Sequence, residues 1–287
     1  MSHVPTGLEL YDRTADDAAA AVIARYSTSF ALACRLLGPR VRTHVRNVYA
    51  LVRVADEVVD GPAADAGLSV DTQRAVLDGL ERDTIAAIET GFSANLVVHA
   101  FARSARASDI SPDLIEPFFA SMRTDLDTAA HDGASHAEYV YGSAEVVGLM
   151  CLQIFVNADA AGQGRPDDEL VDGARRLGRA FQDVNFLRDL DDDSRRLGRD
   201  YLAGAGAEAR RGEVLNGIDA DLAAAAAVIP RLPADCRRAV WTAHDLFAEL
   251  SRRLRASPVG APRVRVPDTA KAAIAVGAFR KSRKAGR

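Results

Sequence analysis

The segment VYALVRVADEVVD, residues 48–60, decides how the fold is interpreted. On an α-helix, with about 100° between successive residues, its polar side chains share one narrow arc: Tyr49, Arg53, Asp56 and Asp60. The remaining residues are mostly aliphatic, which is typical of a helix that is buried around most of its circumference. Carboxylates on a buried face need partners, and Arg53 alone cannot neutralise Asp56, Asp60 and the neighbouring Glu57. The segment therefore predicts a buried helix whose acidic stripe needs a cation.

Helical spacing of apolar residues continues on both sides of this segment. The helix itself is predicted over 41–60, between Gly38-Pro39 and Gly61-Pro62. No stretch shows the alternation of period two that a strand requires, so the sequence predicts an all-α protein. The other helices are predicted near 22–33, 71–89, 93–106, 112–130, 135–157, 167–193, 219–228, 233–255 and 269–284.

A second segment, FQDVNFLRDLDDD at residues 181–193, repeats the pattern. At spacings of three and four, one helix face carries Gln182, Asn185, Asp189 and Asp193. A single pair of such carboxylates is usually a solvated surface feature, but two pairs in aliphatic helices favour a functional site. Carboxylate and amide oxygens suit Mg²⁺, which commonly shares its ligand sphere with substrate phosphates. If the two faces meet across a cleft, the in-register Arg53 and Arg188 can bind phosphate oxygens.

The composition excludes several classes of protein. The chain has 287 residues, with 36 Lys and Arg against 40 Asp and Glu, so it lacks the basic excess of a dedicated nucleic-acid-binding protein. The six histidines show no zinc-ligand spacing, and neither a Rossmann nor a P-loop glycine motif occurs. A length near the upper limit for one core, with 48% hydrophobic residues, predicts one domain over 1–287.

The cysteines and the two ends of the chain indicate where in the cell the protein is expected. Three widely spaced cysteines are typical of buried thiols in a cytosolic protein. Residues 1–16 lack the features of a secretory signal and are interpreted as an N-terminal extension, and the uncharged stretch 146–158 is too short to cross a bilayer. The basic tail 280–287 is interpreted as a solvated end, with membrane-surface contact as the alternative. We therefore expect a cytoplasmic protein, at most peripheral to a membrane, and infer no obligate protein partner.

At these residues the sequence resembles the squalene/phytoene synthase family, the head-to-head prenyl diphosphate synthases, and within it the bacterial phytoene synthases. The resemblance runs from about residue 26 to about residue 271. Five ordered motifs make it far more specific than either acidic pair alone. They are YSTSF at 26–30, the Tyr49 to Asp60 face, MRTDL at 122–126, YVYGSAEVVG at 139–148, and the second acidic face with GRDYL at 198–202.

The resemblance implies an isoprenoid-synthase-type helical bundle around a central cavity, prenyl diphosphate substrates, and Mg²⁺ with Mn²⁺ as a substitute. The metal ligands it implies are Asp56, Asp60, Asn185, Asp189 and Asp193. The polar end of the site would be lined by Tyr49, Arg53, Gln182, Asn185 and Arg188, with Tyr201 as a further substrate-binding residue. The residues near the prenyl chain would be Ser29, Phe30 and Tyr141, and Tyr141 is grouped with the four aspartates as catalytic.

The reaction implied by the resemblance condenses two geranylgeranyl diphosphates to phytoene through a cyclopropylcarbinyl diphosphate, and NADPH is not expected. The sequence departs from the family pattern on the acceptor side, where a tyrosine of the late helix is replaced by Leu246 or Phe247. Three alternatives therefore stay open. They are prenyl transfer to an aromatic small molecule, a C15 squalene-type reaction, and a non-catalytic helical protein that binds prenyl lipid or a partner helix. Gly142 and Gly148 fit either a cavity wall or ordinary close packing of helices.

Overall fold

The computed structural model describes residues 6–127, 133–158, 164–197, 207–258 and 261–284. Every regular element within these residues is a helix, so the prediction of an all-α fold is confirmed. By its internal contacts the chain divides into two compact units, Met1–Pro166 and Asp167–Arg287. The expectation of a single domain over 1–287 stays a prediction.

The described part of the first unit is built from helices that follow one another closely along the chain. They are α1 (Gly7–Tyr26), α2 (Thr28–Arg35), α3 (Pro39–Val59), α4 (Pro62–Asp65), α5 (Val70–Thr90), α6 (Leu96–Ser108), α7 (Pro112–Asp127), α8 (Gly133–Val140), a π-helical turn (Tyr141–Glu145) and α9 (Val146–Asn157).

A proline, a glycine and a capping side chain set the ends of α3 and the start of α6. Pro39 occupies the first turn of α3, where its fixed φ suits a helix and its missing N–H costs nothing. Gly61 follows the end of α3 with a φ of +137°, a conformation that residues with a side chain avoid. The Asn95 side chain caps α6 by accepting hydrogen bonds from the backbone N–H groups of Val97 and Val98.

Helix α3 lies at the centre of the first unit, in contact with α1, α6, α7 and α9. Its inward face is apolar and buried, and consists of Val41, Val45, Val48, Ala50, Leu51, Ala55 and Val58. Phe101 of α6 and the adjacent Phe118 and Phe119 of α7 are fully buried in the same unit. Burial of a large apolar side chain contributes roughly 1.5–3 kcal/mol, so this packing holds α3 and its polar stripe in one position.

The segment interpreted as an N-terminal extension is largely part of this packed unit. Helix α1 begins at Gly7, and Ala15 has no exposed surface. His99 of α6 accepts a hydrogen bond at Nδ1 from the backbone N–H of Ser93, so its Nε2 carries the proton and donates to Asp12 at 2.8 Å. Residues 7–16 are therefore anchored to α6.

The helix predicted near 22–33 is interrupted at Ser27, where the backbone is extended with a φ of −140°. The Ser27 hydroxyl accepts a hydrogen bond from the backbone N–H of Phe30 at 3.0 Å and caps α2. Serine competes with the helix for backbone hydrogen bonds and therefore favours such a cap. The prediction of one continuous helix is wrong at this point.

Helices α8 and α9 join through the π-helical turn, and the segment His136–Asn157 is long and apolar enough to cross a membrane by length and composition. It exceeds the uncharged stretch because it also contains Glu138 and Glu145. However, 44% of its 18-residue apolar stretch is buried within the protein, and α9 contacts α3, α6 and α7. The core helix of a folded domain can have the same length and composition.

The described part of the second unit contains α10 (Asp168–Leu197), α11 (Ala207–Val228), a short 3₁₀ helix (Ile229–Arg231), α12 (Ala234–Ala256) and α13 (Asp268–Lys284). Helix α11 packs against α10 and α12, and α13 packs against α12. Helix α11 begins well before residue 219, where the sequence predicted it, and buries Leu215 and Ile218. The basic tail continues α13 through Lys284, so its described part is helical instead of frayed.

Candidate active site

The polar stripe of α3 is the first part of the candidate site. Arg53 donates from Nη1 to Asp56 Oδ2 at 3.2 Å and also pairs with Glu57. Its guanidinium lies 4.7 Å from the ring centroid of Tyr26, a cation–π contact that orients it. The Nε of Arg53 is buried and has no hydrogen-bond partner among the described residues. A buried donor of this kind is costly when left unpaired, and it suits an oxygen of a bound anion.

The carboxylates of the stripe repel each other. Burial, with a smaller contribution from Asp60, raises the pKa of Asp56 to about 7, and the nearby Arg53 offsets only part of this shift. The Asp56 side chain is 32% exposed, so it is open to solvent on one side. Asp56 and Asp60 therefore lie one helical turn apart and interact unfavourably while both are ionised, with Arg53 beside Asp56.

Two residues of other helices belong to the same acidic cluster. Burial and the charges of Asp60 and Asp56 raise the pKa of Asp125 to about 7, and a hydrogen bond from Tyr139 partly opposes this shift. Tyr139 donates this bond from its hydroxyl to Asp125 Oδ2 at 3.1 Å. Burial and the same carboxylates raise the pKa of the Tyr139 hydroxyl, so it stays protonated and acts as a donor.

The sequence analysis assigned no role to Asp125 or Tyr139, although both residues lie in motifs shared with the family. Asp125 lies in the MRTDL motif and Tyr139 opens the YVYGSAEVVG motif. The sequence spacing between these residues and Asp56 does not predict that they are close. Their proximity depends on how α7 and α8 pack in the tertiary fold. The structure thus extends the acidic stripe of α3 to a three-carboxylate cluster: Asp56, Asp60 and Asp125.

Phe30 and Tyr49 lie beside each other at the edge of this site, with ring centroids 5.9 Å apart. The Tyr49 hydroxyl hydrogen-bonds to Ser27, and burial raises its pKa despite the nearby Arg53. The cap residue of α2 therefore also positions a tyrosine of α3. Ser29 is in α2, but its side chain lies outside the described residues.

Tyr141 begins the π-helical turn and is half-buried. The turn packs tightly against α7, since a Cβ added to Gly142 would lie 2.1 Å from Ser121 Oγ and 2.3 Å from the carbonyl oxygen of Pro117. Of the two interpretations of Gly142, close packing is therefore the one that the structure supports. π-Helical turns are rare and are frequent at functional sites, which makes this turn a candidate part of the site.

The second acidic face lies on α10 in the second unit. Gln182, Asn185 and Arg188 are half-buried. The backbone of α10 is helical through Asp189 and Asp193, but the side chains of these two aspartates lie outside the described residues, as does the whole of Tyr201. The convergence of the two acidic faces stays a prediction.

The late helix α12 carries Leu246 and Phe247, the apolar residues at the position where the sequence resemblance implies a tyrosine. Leu246 is 1% exposed and Phe247 is 7% exposed. Phe247 stacks on Phe181 of α10 with ring centroids 3.8 Å apart. These side chains pack the second unit and supply no hydroxyl for proton transfer.

The donor groups of the first acidic face suit a divalent cation that is shared with a diphosphate. In the described part of the chain, no group of three or more His, Cys, Asp or Glu side chains is arranged to hold a metal ion. Mg²⁺ commonly binds through one or two carboxylates and fills its sphere with waters and substrate phosphates. Asp56 and Asp60 supply the carboxylates, and the unpaired Nε of Arg53 supplies a donor for the anion.

Comparison with known proteins identifies the family. The squalene/phytoene synthase family model matches residues 23–270, which include both acidic segments. The chain belongs to the squalene/phytoene synthase family. Members of this family are prenyltransferases that act on prenyl diphosphates.

Relatives of this squalene/phytoene synthase family member include enzymes with two different products. A 15-cis-phytoene synthase of Paracoccus sp. is 36% identical over 190 residues, which cover 63% of this chain and 58% of the relative. A phytoene synthase of Pseudescherichia vulneris is 28% identical over 265 residues, or 84% of this chain and 82% of the relative. A presqualene diphosphate synthase of Rhodopseudomonas palustris is 28% identical over 244 residues, or 83% and 79%. The match to the Paracoccus protein spans less than two thirds of its length.

Solved structures share the fold of this family member. A dehydrosqualene synthase aligns with a TM-score of 0.78 at 22% identity, covering 96% of this chain and 99% of the other. A squalene synthase from Alicyclobacillus acidocaldarius aligns with a TM-score of 0.65 at 18% identity, covering 97% of both chains. These matches confirm the expected isoprenoid-synthase type of helical fold.

Proposed function

We propose that the protein is a Mg²⁺-dependent prenyltransferase that joins two molecules of geranylgeranyl diphosphate head to head to give phytoene. The observation that carries the proposal is the acidic cluster of the first unit, in which burial and repulsion among Asp56, Asp60 and Asp125 raise the pKa of Asp125 and that of Asp56 beside Arg53. Membership of a family that acts on prenyl diphosphates, and relatives named phytoene synthase, support the choice of substrate and product.

The residues of α3 would bind the diphosphate end of the substrate. Mg²⁺ held by Asp56 and Asp60 would absorb the negative charge that develops on the departing diphosphate. Arg53 would turn its free Nε–H toward a phosphate oxygen while its Nη1 stays on Asp56. Tyr139 holds Asp125 by a hydrogen bond and so keeps that carboxylate oriented beside the cluster.

The residues of α10 would bind a second diphosphate in the same way. In this proposal Asn185, Asp189 and Asp193 are metal ligands, and Gln182 and Arg188 contact phosphate oxygens, with Tyr201 as a further contact. Next to the first diphosphate, Ser29, Phe30 and Tyr141 would contact the prenyl chain. The Phe30 and Tyr49 rings, 5.9 Å apart, offer an aromatic surface for an allylic cation.

The proposed chemistry has two ionisations and needs no reductant. The C1–O bond of one molecule breaks and releases diphosphate, and the C2=C3 bond of the second molecule attacks the resulting allylic cation. Loss of a proton closes a cyclopropane ring and gives a cyclopropylcarbinyl diphosphate. Its C–O bond then breaks to release the second diphosphate, the ring rearranges, and loss of a second proton forms the central double bond of phytoene.

A C15 reaction is the second candidate, and the relative named presqualene diphosphate synthase favours it. A third candidate ionises the same prenyl donor but transfers the prenyl group to an aromatic acceptor. The apolar Leu246 and Phe247 of α12 are compatible with such an acceptor. These candidates share the ionisation step and differ in chain length or in the acceptor.

The test is to incubate the purified protein with Mg²⁺ and, separately, C10, C15 or C20 allylic diphosphate, with and without NADPH. We expect diphosphate release and a C40 hydrocarbon from the C20 substrate alone, without NADPH. A C30 product from the C15 substrate would assign the squalene-type reaction instead. Release of diphosphate with neither a C30 or C40 hydrocarbon nor a cyclopropylcarbinyl diphosphate would exclude both head-to-head reactions and favour another acceptor. No release from any donor would exclude a prenyltransferase.

A further inference from the structure

Helix α13 has an exposed face that combines apolar and basic side chains. Val276 is 55% exposed and Phe279 is 44% exposed. At 100° per residue, these two side chains share one side of the helix with Arg280 and Arg283, both of which are exposed. The exposed Ala272 lies on the same side. We name this set, Ala272, Val276, Phe279, Arg280 and Arg283, the outer face of α13.

The opposite side of α13 is attached to α12, which orients the outer face. Ala278 has no exposed surface. Lys281 Nζ bonds to both carboxylate oxygens of Asp245 at 2.8 and 2.9 Å and lies 4.5 Å from the ring centroid of Trp241. Two kinds of contact therefore hold this cation, so it is not available to a ligand. The outer face is consequently presented to solvent by a helix that is packed in place.

The outer face carries positive charge that no carboxylate of the described residues neutralises. The only acidic residue of α13 is Asp268, at its first position, and it pairs with Lys271 at 3.1 Å. Within the described residues, neither Arg280 nor Arg283 pairs with a carboxylate, and the Arg283 guanidinium lies 5.7 Å from the Phe279 ring centroid. Cations beside an exposed aromatic ring are the composition of helices that bind at the surface of anionic membranes.

We infer that the outer face of α13 binds the surface of a membrane that contains anionic lipids. Arg280 and Arg283 would contact lipid phosphates, and Phe279 with Val276 would enter the boundary between head groups and acyl chains. The contact is peripheral, because the apolar part of the face is too small to span a bilayer. This inference does not depend on the reaction, since the outer face contains none of the residues proposed to bind substrate.

The inference is tested by flotation of the full-length protein with vesicles, without substrate. One set of vesicles contains equal parts of phosphatidylglycerol and phosphatidylcholine, and the other contains phosphatidylcholine alone. We expect the wild type to float with the anionic vesicles and to remain in solution with the neutral ones. The double variant R280S/R283S should lose roughly 25-fold in partition, since each basic residue near such a surface contributes about fivefold.

The matched control is R13S/R82S, which removes the same charge from exposed positions of α1 and α5. It should float like the wild type, and F279S should float less although its net charge is unchanged. Circular dichroism of each variant verifies that it is folded. The inference is overturned if the wild type does not float with anionic vesicles, or if both double variants lose binding equally. A concentration-dependent dimer that F279S abolishes, without vesicle binding, would instead assign the face to a second copy of the chain.

Discussion

At the scale of single residues, ionisation of the acidic cluster lowers the stability of the folded protein. Asp56 and Asp125 both have a pKa raised to about 7, mainly by burial and further by the neighbouring carboxylates of the cluster. A carboxyl group with a raised pKa in the folded state binds a proton there that it loses in the unfolded chain. Ionisation of Asp56 and Asp125 therefore costs folding free energy.

The first prediction concerns Asp56→Asn in the absence of divalent cations. Because the pKa of Asp56 rises from 3.8 to about 7 on folding, its ionisation should destabilise the folded protein progressively as pH rises through this window. We expect the melting temperature of the wild type to fall more steeply over that range than that of Asp56→Asn, as measured in EDTA. The exposed Asp17→Asn in α1 is the control and should follow the wild type. Identical pH profiles for all three proteins would contradict the raised pKa of Asp56.

The second prediction concerns Asp125→Asn. This change removes a carboxylate that interacts electrostatically with Asp56 and Asp60. We expect it to raise the Mg²⁺ concentration needed for half-maximal diphosphate release by about 10-fold or more, the usual scale for loss of a group that supports a metal ligand. The control is Asp127→Asn on the same helix, whose side chain is 59% exposed and pairs with Arg74. Equal Mg²⁺ requirements for the two variants would remove Asp125 from the site.

At the scale of elements, the π-helical turn between α8 and α9 packs closely against α7. Gly142 lies against Ser121 and Pro117 of α7, and Ser121 Oγ donates to the carbonyl oxygen of Tyr139 at 3.0 Å. The turn is thereby joined to α7 next to Asp125. A shift of this turn would move Tyr139 and Tyr141 together.

The third prediction compares two glycine substitutions in helices. Gly142→Ala places a Cβ within 2.3 Å of two atoms of α7, so we expect it to lower the free energy of unfolding by roughly 1–3 kcal/mol, as overpacking does. Gly217→Ala in α11 meets nothing within 4 Å and should raise that free energy by about 0.5–1 kcal/mol. Chemical denaturation of both variants measures the difference. A Gly142→Ala protein as stable as the wild type would mean that α7 and the turn can separate without cost.

At the scale of the whole molecule, the unfolding of the two compact units can be followed by separate spectroscopic signals. The only tryptophan, Trp241, lies in α12 of the second unit, between Lys281 and His244. Its fluorescence therefore reports on the second unit, whereas the helical circular dichroism signal comes from both units. The two signals separate one cooperative domain from two independent ones.

The fourth prediction is that the two signals change together in a urea titration of the metal-free protein. We expect coincident transitions, because the family match continues without interruption across the boundary between the units and the chain length is within reach of one core. A fluorescence transition at a different urea concentration from the dichroism transition would contradict the prediction of one domain over 1–287.

The sequence by itself determined the helical fold, the family and the acidic stripe of α3. These features follow from local geometry, since residues three and four apart share a helix face whatever surrounds them. The spacing alone therefore places Asp56 and Asp60 on the same face as Arg53. Capping at Ser27 is also a local effect. However, apolar residues continue at helical spacing on both sides of Ser27, so the sequence did not predict the break between α1 and α2.

Only the tertiary structure decided which distant residues join that stripe. Asp125 and Tyr139 come from α7 and α8, and no spacing rule relates them to Asp56, because their proximity depends on how the buried faces of separate helices pack. The close approach at Gly142 and the attachment of Lys281 to Asp245 arise in the same way. Periodicity along one helix is a property of the backbone, whereas contacts between helices depend on the shapes and charges of side chains far apart in the chain.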